Sequence, residues 1–290
     1  MKLKIGLFLT LTFFAYMSIQ AQQLAVASYN LRYSIEKNHK TDSAKGEDWV
    51  RRGPAIAALI RYHDFEIFGT QEGLLHQLED LSEWLPGFSY VGVGRDDGKK
   101  EGEHTAVFYQ TDRFKVLDHG DFWLSETPEK PSMGWDGTCC HRMCTWVHFE
   151  DAKSGAKFYF FNTHFDHQAI VARKESAKLI LAKINEIAAE NPVVFMGDLN
   201  GDHVSDWYLT IANSDLLTDA YLEVDDPYAI NGSFNGFGRR TESNSIIDHV
   251  FITKHFEVEK WGILTDTYHG KFPSDHFPVK VKLRLLPENR

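Results

Sequence analysis

The chain is poor in cysteine. Of its 290 residues only Cys139, Cys140 and Cys144 carry thiols, too few for a disulfide-built scaffold. In an exported protein they allow one disulfide and leave one thiol over. A zinc site with His141 between them is an alternative, although the spacing does not match paired C-x-x-C elements. Thiols buried along a strand are the third reading. Positive charge is also short: 31 Lys and Arg stand against 41 Asp and Glu, a formal net charge of -10. That weighs against a nonspecific nucleic-acid binder, which carries a basic face. It does not exclude a nuclease, because bound cations offset local charge. There is no internal repeat, low-complexity tract or Pro/Gly-rich linker. Beyond the N-terminal segment no apolar run is long enough to span a bilayer, so no integral membrane association is expected.

What is present is enough to fold. With 43% hydrophobic residues and many aromatics, the chain can bury a substantial core and does not read as disordered. Its start has the order of a secretory signal: Met1-Lys2-Leu3-Lys4, an apolar run from Ile5 to about Ile19, then Gln20-Ala21-Gln22-Gln23. The run is short for a membrane anchor, and Tyr16 and Ser18 interrupt its end. Cleavage after Ala21 is expected, giving a signal peptide over 1–21 and one domain over 22–290. Removing Lys2 and Lys4 takes the charge from -10 to -12. The protein is then exported, periplasmic or extracellular.

The pattern predicts strands at Leu24 to Leu31, Phe65 to Thr70, Phe88 to Gly94, Thr105 to Tyr109 and Phe114 to Leu124. Helical spacing covers Trp49 to Tyr62 and Leu74 to Leu85. Thr145 to Phe149 and Lys157 to Asn162 form a hairpin around Lys153-Ser154-Gly155. The longest helix is Ala169 to Ala189, then a short buried strand at Val193 to Met196 and a helix over Asp202 to Ala212. Tyr221 to Glu242 is mostly loop. Strands at Ser245 to Thr253, Phe256 to Leu264 and Pro278 to Leu285 close the chain. Strands outnumber helices, and this favours two packed sheets flanked by helices over a doubly wound sheet.

Chemistry-bearing motifs sit where apolar runs end: Ser28-Tyr29-Asn30, Thr70-Gln71-Glu72, Asn162-Thr163-His164-Phe165-Asp166, Gly197-Asp198-Leu199-Asn200, Ile247-Asp248-His249 and Ser274-Asp275-His276. Strand tips converging on one site would supply oxygen ligands for a hard divalent cation and a carboxylate–histidine proton relay. Asp198 and Asn200 share a side if the strand continues; alone, the same residues also make an Asx turn. Asp248 in an apolar strand is costly to bury unless paired, and His276 is the candidate partner, its tautomer and basicity then set by the carboxylate. His249, next to Asp248, points to the opposite face and reads as structural or surface. His164 can donate to a phosphoryl oxygen. Asp166 shares its face and equally suits a cap for the following helix. Glu72 is placed as a cation ligand, or as an acid in the next helix's first turn. Asn30 orients a water or a metal ligand. Arg142 lies beside a Pro/Gly/Trp-rich loop and suits a phosphate clamp; a surface arginine on a strand is the alternative.

Taken together, these motifs resemble the endonuclease/exonuclease/phosphatase superfamily, and the resemblance runs in order from Asn30 to His276. Phe122-Trp123-Leu124-Ser125-Glu126-Thr127-Pro128 and Gly94-Arg95-Asp96-Asp97-Gly98 resemble a bacterial, often exported, subgroup. The resemblance implies a four-layered α/β sandwich of the DNase I type: two packed mixed β-sheets flanked by helices, with the site at one edge of the sheets. It implies Mg²⁺, with Mn²⁺ as the alternative, held by Glu72 with Asn30 beside it and Asp275 at its edge. Asp198, helped by Asn200, would position or deprotonate the attacking water. His276, paired with Asp248, would contact the scissile phosphate or act as base, and His164 would stabilise the developing charge. Arg142, Asp166 and Asn162 are the expected substrate contacts. The chemistry is in-line attack of water on a phosphoester without a covalent intermediate.

The expected substrate is a small phosphorylated molecule, a sugar phosphate or a lipid headgroup, since the acidic charge disfavours nucleic acid. An exported nuclease is the alternative, and its basic groove would rest on Arg239-Arg240 and Lys99-Lys100 alone. A non-catalytic ligand-binding member would show a damaged constellation, and none of the motifs is damaged. A glycoside hydrolase needs two acids across a sugar cleft and leaves Asn30, His164 and the Asp248/His276 pair idle.

Overall fold

A computed structural model describes residues 22–240 and 242–287; the expected signal peptide lies outside them. In chain order the elements are β1 (Gln22–Asn30), α1 (His39–Lys45), α2 (Trp49–Tyr62), β2 (Ile67–Gln71), α3 (Leu75–Trp84), β3 (Phe88–Val91), β4 (Val107–Gln110), β5 (Phe114–Trp123), β6 (Met143–Asp151), β7 (Lys157–His164), α4 (Ile170–Ala188), β8 (Val193–Asp198), α5 (Asp206–Ala212), β9 (Thr218–Asp219), β10 (Asp248–Ile252), β11 (Phe256–Ile263) and β12 (Val279–Leu285). Among the described residues no helix is long and apolar enough to cross a membrane.

The strands form two six-stranded sheets, ordered β11-β12-β1-β2-β4-β3 and β5-β6-β7-β8-β10-β9. Each is mixed: β1/β2 and β7/β8 pair parallel and the other neighbours antiparallel. Their central strands are apolar on both faces because both faces are covered. Side chains alternate across a strand, so Val26, Phe160, Val194 and Val250 enter the core between the sheets. Their neighbours Ala27, Phe161, Phe195 and Phe251 face the outer helices. Trp49, Ile56 and Ile60 of α2 and Leu78 and Leu81 of α3 cover the first sheet. Ile180 and Ile184 of α4 and Ile211 of α5 cover the second. The result is the expected four-layered sandwich.

This topology decides where the site is. The parallel strands β1, β2, β7 and β8 end in or next to Asn30, Glu72, His164 and Asp198. Strands β10 and β12 run antiparallel to β8 and β1, so their beginnings lie at the same edge. Asp248 pairs in register with Asp198, and Asp275 and His276 lie in the segment that leads into β12. One polar post ties the sheets together below that edge. Asn162 Nδ2 donates to the carbonyls of Thr70 (2.9 Å) and Ala106 (3.0 Å), and its Oδ1 accepts from Gln71 Nε2 at 2.7 Å. A Cβ at Gly69 would lie 2.5 Å from the Asn162 carboxamide carbon, so the close approach requires glycine.

Candidate active site

Asp198 is the centre of the constellation. Its Oδ2 accepts from Asn30 Nδ2 at 3.0 Å and lies 3.5 Å from His164 Nε2 and 3.7 Å from His276 Nε2. Its Oδ1 accepts the Asn200 backbone N–H at 2.9 Å. Strand β8 stops at Asp198, and Asn200 takes a left-handed φ of 47°. The two residues therefore form an Asx turn, and the Asn200 carboxamide donates to the Phe165 carbonyl at 3.0 Å. Asn200 lines the cleft but does not continue the strand face expected for it.

His276 Nδ1 is 2.8 Å from Asp248 Oδ2, the pairing expected from the sequence, and its Nε2 faces the cleft. Burial opposes a charged ring, but Asp248 and Asp198 outweigh it and hold His276 up to about 10. For Asp198, burial and then Asp248 push the carboxyl up to about 7. Burial and the Arg142 guanidinium hold His164 well below the usual imidazole range. Three neighbouring titratable groups are thus driven to different protonation states, a property of catalytic sites.

Glu72 does not join the next helix, which begins at Leu75. Its backbone takes a left-handed φ of 61°, and this turns the carboxylate back toward β1. Oε1 accepts from Asn30 Nδ2 at 3.2 Å; Oε2 accepts from the Tyr33 N–H at 3.1 Å and from Arg32 Nη1 at 3.4 Å. Arg32 Nε also reaches Asp275 Oδ2 at 3.7 Å. One cationic guanidinium therefore bridges the Glu72 and Asp275 carboxylates. Although burial opposes ionisation, Arg32 in particular holds Glu72 below the usual range. Oxygen donors from two carboxylates and an amide suit Mg²⁺ or Mn²⁺.

The cleft over these residues has a volume of about 820 Å³. Arg142 lines it, and two of its buried donors, Nε and Nη1, have no hydrogen-bond partner among the described residues. Its Nη2 is 2.9 Å from His167 Nδ1. Arg142, His164 and His276 line the same cleft, and a guanidinium there suits recognition of an anionic group.

Two expected substrate contacts are placed elsewhere. Asn162 is wholly buried in the inter-sheet post. Asp166 Oδ1 accepts the Gln168 and Ala169 N–H groups, both at 2.7 Å, so it closes the turn that leads into α4, whose first-turn N–H groups of Val171 and Ala172 are accepted by Asp136. Its Oδ2 lies 4.0 Å from Arg142 Nε, so it supports the arginine from behind. Residues missed in the sequence also line the cleft: Arg32, Tyr33, Arg95, Glu103, His167 and Phe234. Arg95 and Glu103 form a bidentate pair of 2.6 and 2.8 Å across the Gly94–Glu103 loop. The polar loop was visible in the sequence; its fold back over the site was not. Cys139 and Cys140 form a disulfide at the rim, and Cys144 is a buried free thiol. His141 does not join them; its Nδ1 faces the Arg95 carbonyl at 3.1 Å.

Comparison with known proteins gives a consistent picture. The sequence pattern described as the Endonuclease/Exonuclease/phosphatase family matches residues 27–276. An endonuclease/exonuclease/phosphatase family protein of Bacteroides thetaiotaomicron is 47% identical, with 92% of this chain and 99% of that chain covered and a TM-score of 0.87. A mannosyl-6-phosphatase of the same organism is 48% identical over 90% of this chain and 99% of its own, with a TM-score of 0.85. A family protein of Bacteroides vulgatus is 36% identical over 91% and 99%, with a TM-score of 0.85.

Proposed function

The chain belongs to the endonuclease/exonuclease/phosphatase family of phosphoester hydrolases, and from that premise we propose that it is an exported, divalent-cation-dependent phosphatase of sugar phosphates, with a mannosyl 6-phosphate as the first substrate to test. The observation that carries this reading is the pairing of Asp198, lifted to about 7, with an anion receptor made of Arg142, His164 and His276. The relative's name as a mannosyl-6-phosphatase supports the sugar. The cleft volume of about 820 Å³ accommodates a phosphorylated sugar. The basic-then-apolar order of residues 1–21 supports export.

Each side chain has a task that follows from its position. The phosphoryl group sits on the side of the cleft that the Arg142 guanidinium lines. The Nε2–H of protonated His276 donates to a second phosphoryl oxygen, while Asp248 fixes the ring from behind. Neutral His164 supplies a further donor and adds no charge, so the site does not hold the product phosphate too tightly. Asn30 orients Asp198 Oδ2. That oxygen accepts a proton from the water aligned opposite the leaving sugar oxygen, and a carboxyl titrating near 7 suits a general base at neutral pH. Glu72 and Asp275, with Asn30 beside them, would hold the divalent cation, which when bound neutralises phosphoryl oxygens and lowers the barrier electrostatically.

A hydrolysis panel tests the reading. Mannose 6-phosphate, glucose 6-phosphate, phosphoinositides, sphingomyelin, RNA and DNA are incubated with Mg²⁺, with Mn²⁺ and with EDTA. Cation-dependent phosphate release from the sugar monoesters is expected. Release from nucleic acid alone would replace the sugar reading by the nuclease one. No turnover of any ester would favour a ligand-binding role.

A further inference from the structure

His249 follows Asp248 on β10 and points to the opposite face, away from the catalytic cleft. There it meets Asp219, at the end of β9, and His203, in the loop before α5. Asp219 is buried. Its Oδ1 accepts the Tyr221 N–H at 2.9 Å and its Oδ2 accepts the Tyr208 hydroxyl at 2.9 Å. The same Oδ2 lies 3.5 Å from His249 Nδ1 and 3.6 Å from His203 Nε2. One ligand atom from each of the three residues can be chosen so that all lie within 4.8 Å of one another. The phosphatase chemistry uses none of them.

The tautomers can be read from the surroundings. His249 Nε2 is 2.9 Å from the Gly201 carbonyl, which only accepts, so Nε2 carries the hydrogen. In the neutral ring the Nδ1 lone pair then points at the Asp219 carboxylate. His203 Nε2 is buried and makes no hydrogen bond to any described residue. Two nitrogens converge on one carboxylate oxygen at distances too long for hydrogen bonds. They match the edges of a tetrahedron around a cation, which for bonds of about 2.1 Å are about 3.4 Å long. The outer contacts also match a metal site. A ligand histidine donates its other N–H to a carbonyl, and a ligand carboxylate accepts a hydroxyl, which fixes both orientations.

We propose that His203, Asp219 and His249 form a second metal site, separate from the catalytic centre, that takes a zinc-class cation with water completing the tetrahedron. Imidazole nitrogens with one carboxylate suit Zn²⁺ and its relatives, whereas Mg²⁺ prefers oxygen. The ion would join β9, β10 and the loop before α5. It would thereby fix the strand whose first residue, Asp248, orients His276.

Cobalt tests this, because four-coordinate Co²⁺ absorbs visible light strongly and six-coordinate Co²⁺ only faintly. Chelator-stripped protein is titrated with Co²⁺ in excess Mg²⁺, which keeps the oxygen-rich catalytic site occupied. Absorbance and bound metal by mass spectrometry are followed together. Wild type should bind one equivalent with the intense band. The band should persist in Asp198→Asn. In His203→Ala the affinity should fall by at least about 10-fold. Should His203→Ala misfold, His203→Cys keeps a ligand there and should show added sulfur-to-cobalt charge transfer. No intense band in wild type overturns the proposal, as does a band that forms with wild-type affinity in His203→Ala or that lacks the sulfur transition in His203→Cys. A band lost only in Asp198→Asn, or only when Cys139 and Cys140 are changed to Ser, would place the cation elsewhere and overturn it equally.

Discussion

Arg142→Met separates binding from folding in a way few substitutions can. Nε and Nη1 of Arg142 are buried without a hydrogen-bond partner among the described residues, and a buried donor left unsatisfied costs about 1–3 kcal/mol. Methionine fills similar volume and carries no donor, so its loss of the His167 contact, 2.9 Å in wild type, is offset by removal of two unsatisfied groups. The variant should unfold at the wild-type temperature or slightly above it. Catalysis should behave oppositely. A hydrogen bond from a charged donor contributes about 1.5–3 kcal/mol, so losing the guanidinium from the phosphoryl pocket should lower kcat/KM by about 1.5–3 kcal/mol, roughly 10- to 100-fold. The assays are steady-state phosphate release and thermal unfolding with and without inorganic phosphate. Phosphate should raise the unfolding temperature of wild type and leave that of Arg142→Met unchanged. A variant that melts several degrees lower yet keeps wild-type kcat/KM would refute the reasoning and make Arg142 a structural residue.

Other outcomes follow from the same geometry. Asp198→Asn should reduce kcat by about 10²–10⁴-fold without altering the circular dichroism spectrum, whereas a small loss would move the base elsewhere. Glu72→Gln should raise the Mg²⁺ concentration needed for half-maximal activity; an unchanged metal titration counts against its role as a ligand. With Asp198 ionising near 7 and His276 losing its proton near 10, kcat/KM should rise through the first value and fall through the second. Asp248→Asn should bring the alkaline limb down toward the ordinary 6.5 of an imidazole; a limb that stays put would exclude the Asp248–His276 pair as its source. The raised His276 value also stabilises the fold. This contribution is fully present below pH 6.5 and is lost as pH rises through about 10, which denaturant midpoints across that range would show.

Much of this architecture is legible in the sequence because strand burial and strand ends leave strong marks. Val193-Val194-Phe195-Met196 must be covered on both faces, and a Gly-Asp directly after it can only be a strand tip. Repeated at β1, β2 and β7, that pattern marks Asn30, Glu72, His164 and Asp198 as strand ends from residue order alone. Other features leave no mark. Helix α1 has no buried residue and therefore no apolar stripe to reveal it. Asp166 and Asn162 have the residue types of a substrate site, yet one closes a turn ahead of a helix and the other joins two sheets, and only the fold separates those roles. Arg32, Arg95, Glu103 and His167 reach the cleft from loops or strand exits, where side-chain direction follows no period. Asn200 departs from the strand face because its backbone turns left-handed, a choice that asparagine permits and the sequence does not announce.

The most direct test is a crystal structure of the protein with Mg²⁺ and inorganic phosphate. A single phosphate is predicted between Arg142, His164 and His276, with Mg²⁺ between Glu72 and Asp275 and a water on Asp198 Oδ2 opposite one P–O bond. Phosphate bound outside the cleft, or bound there with Asp198 facing no water, would contradict the account.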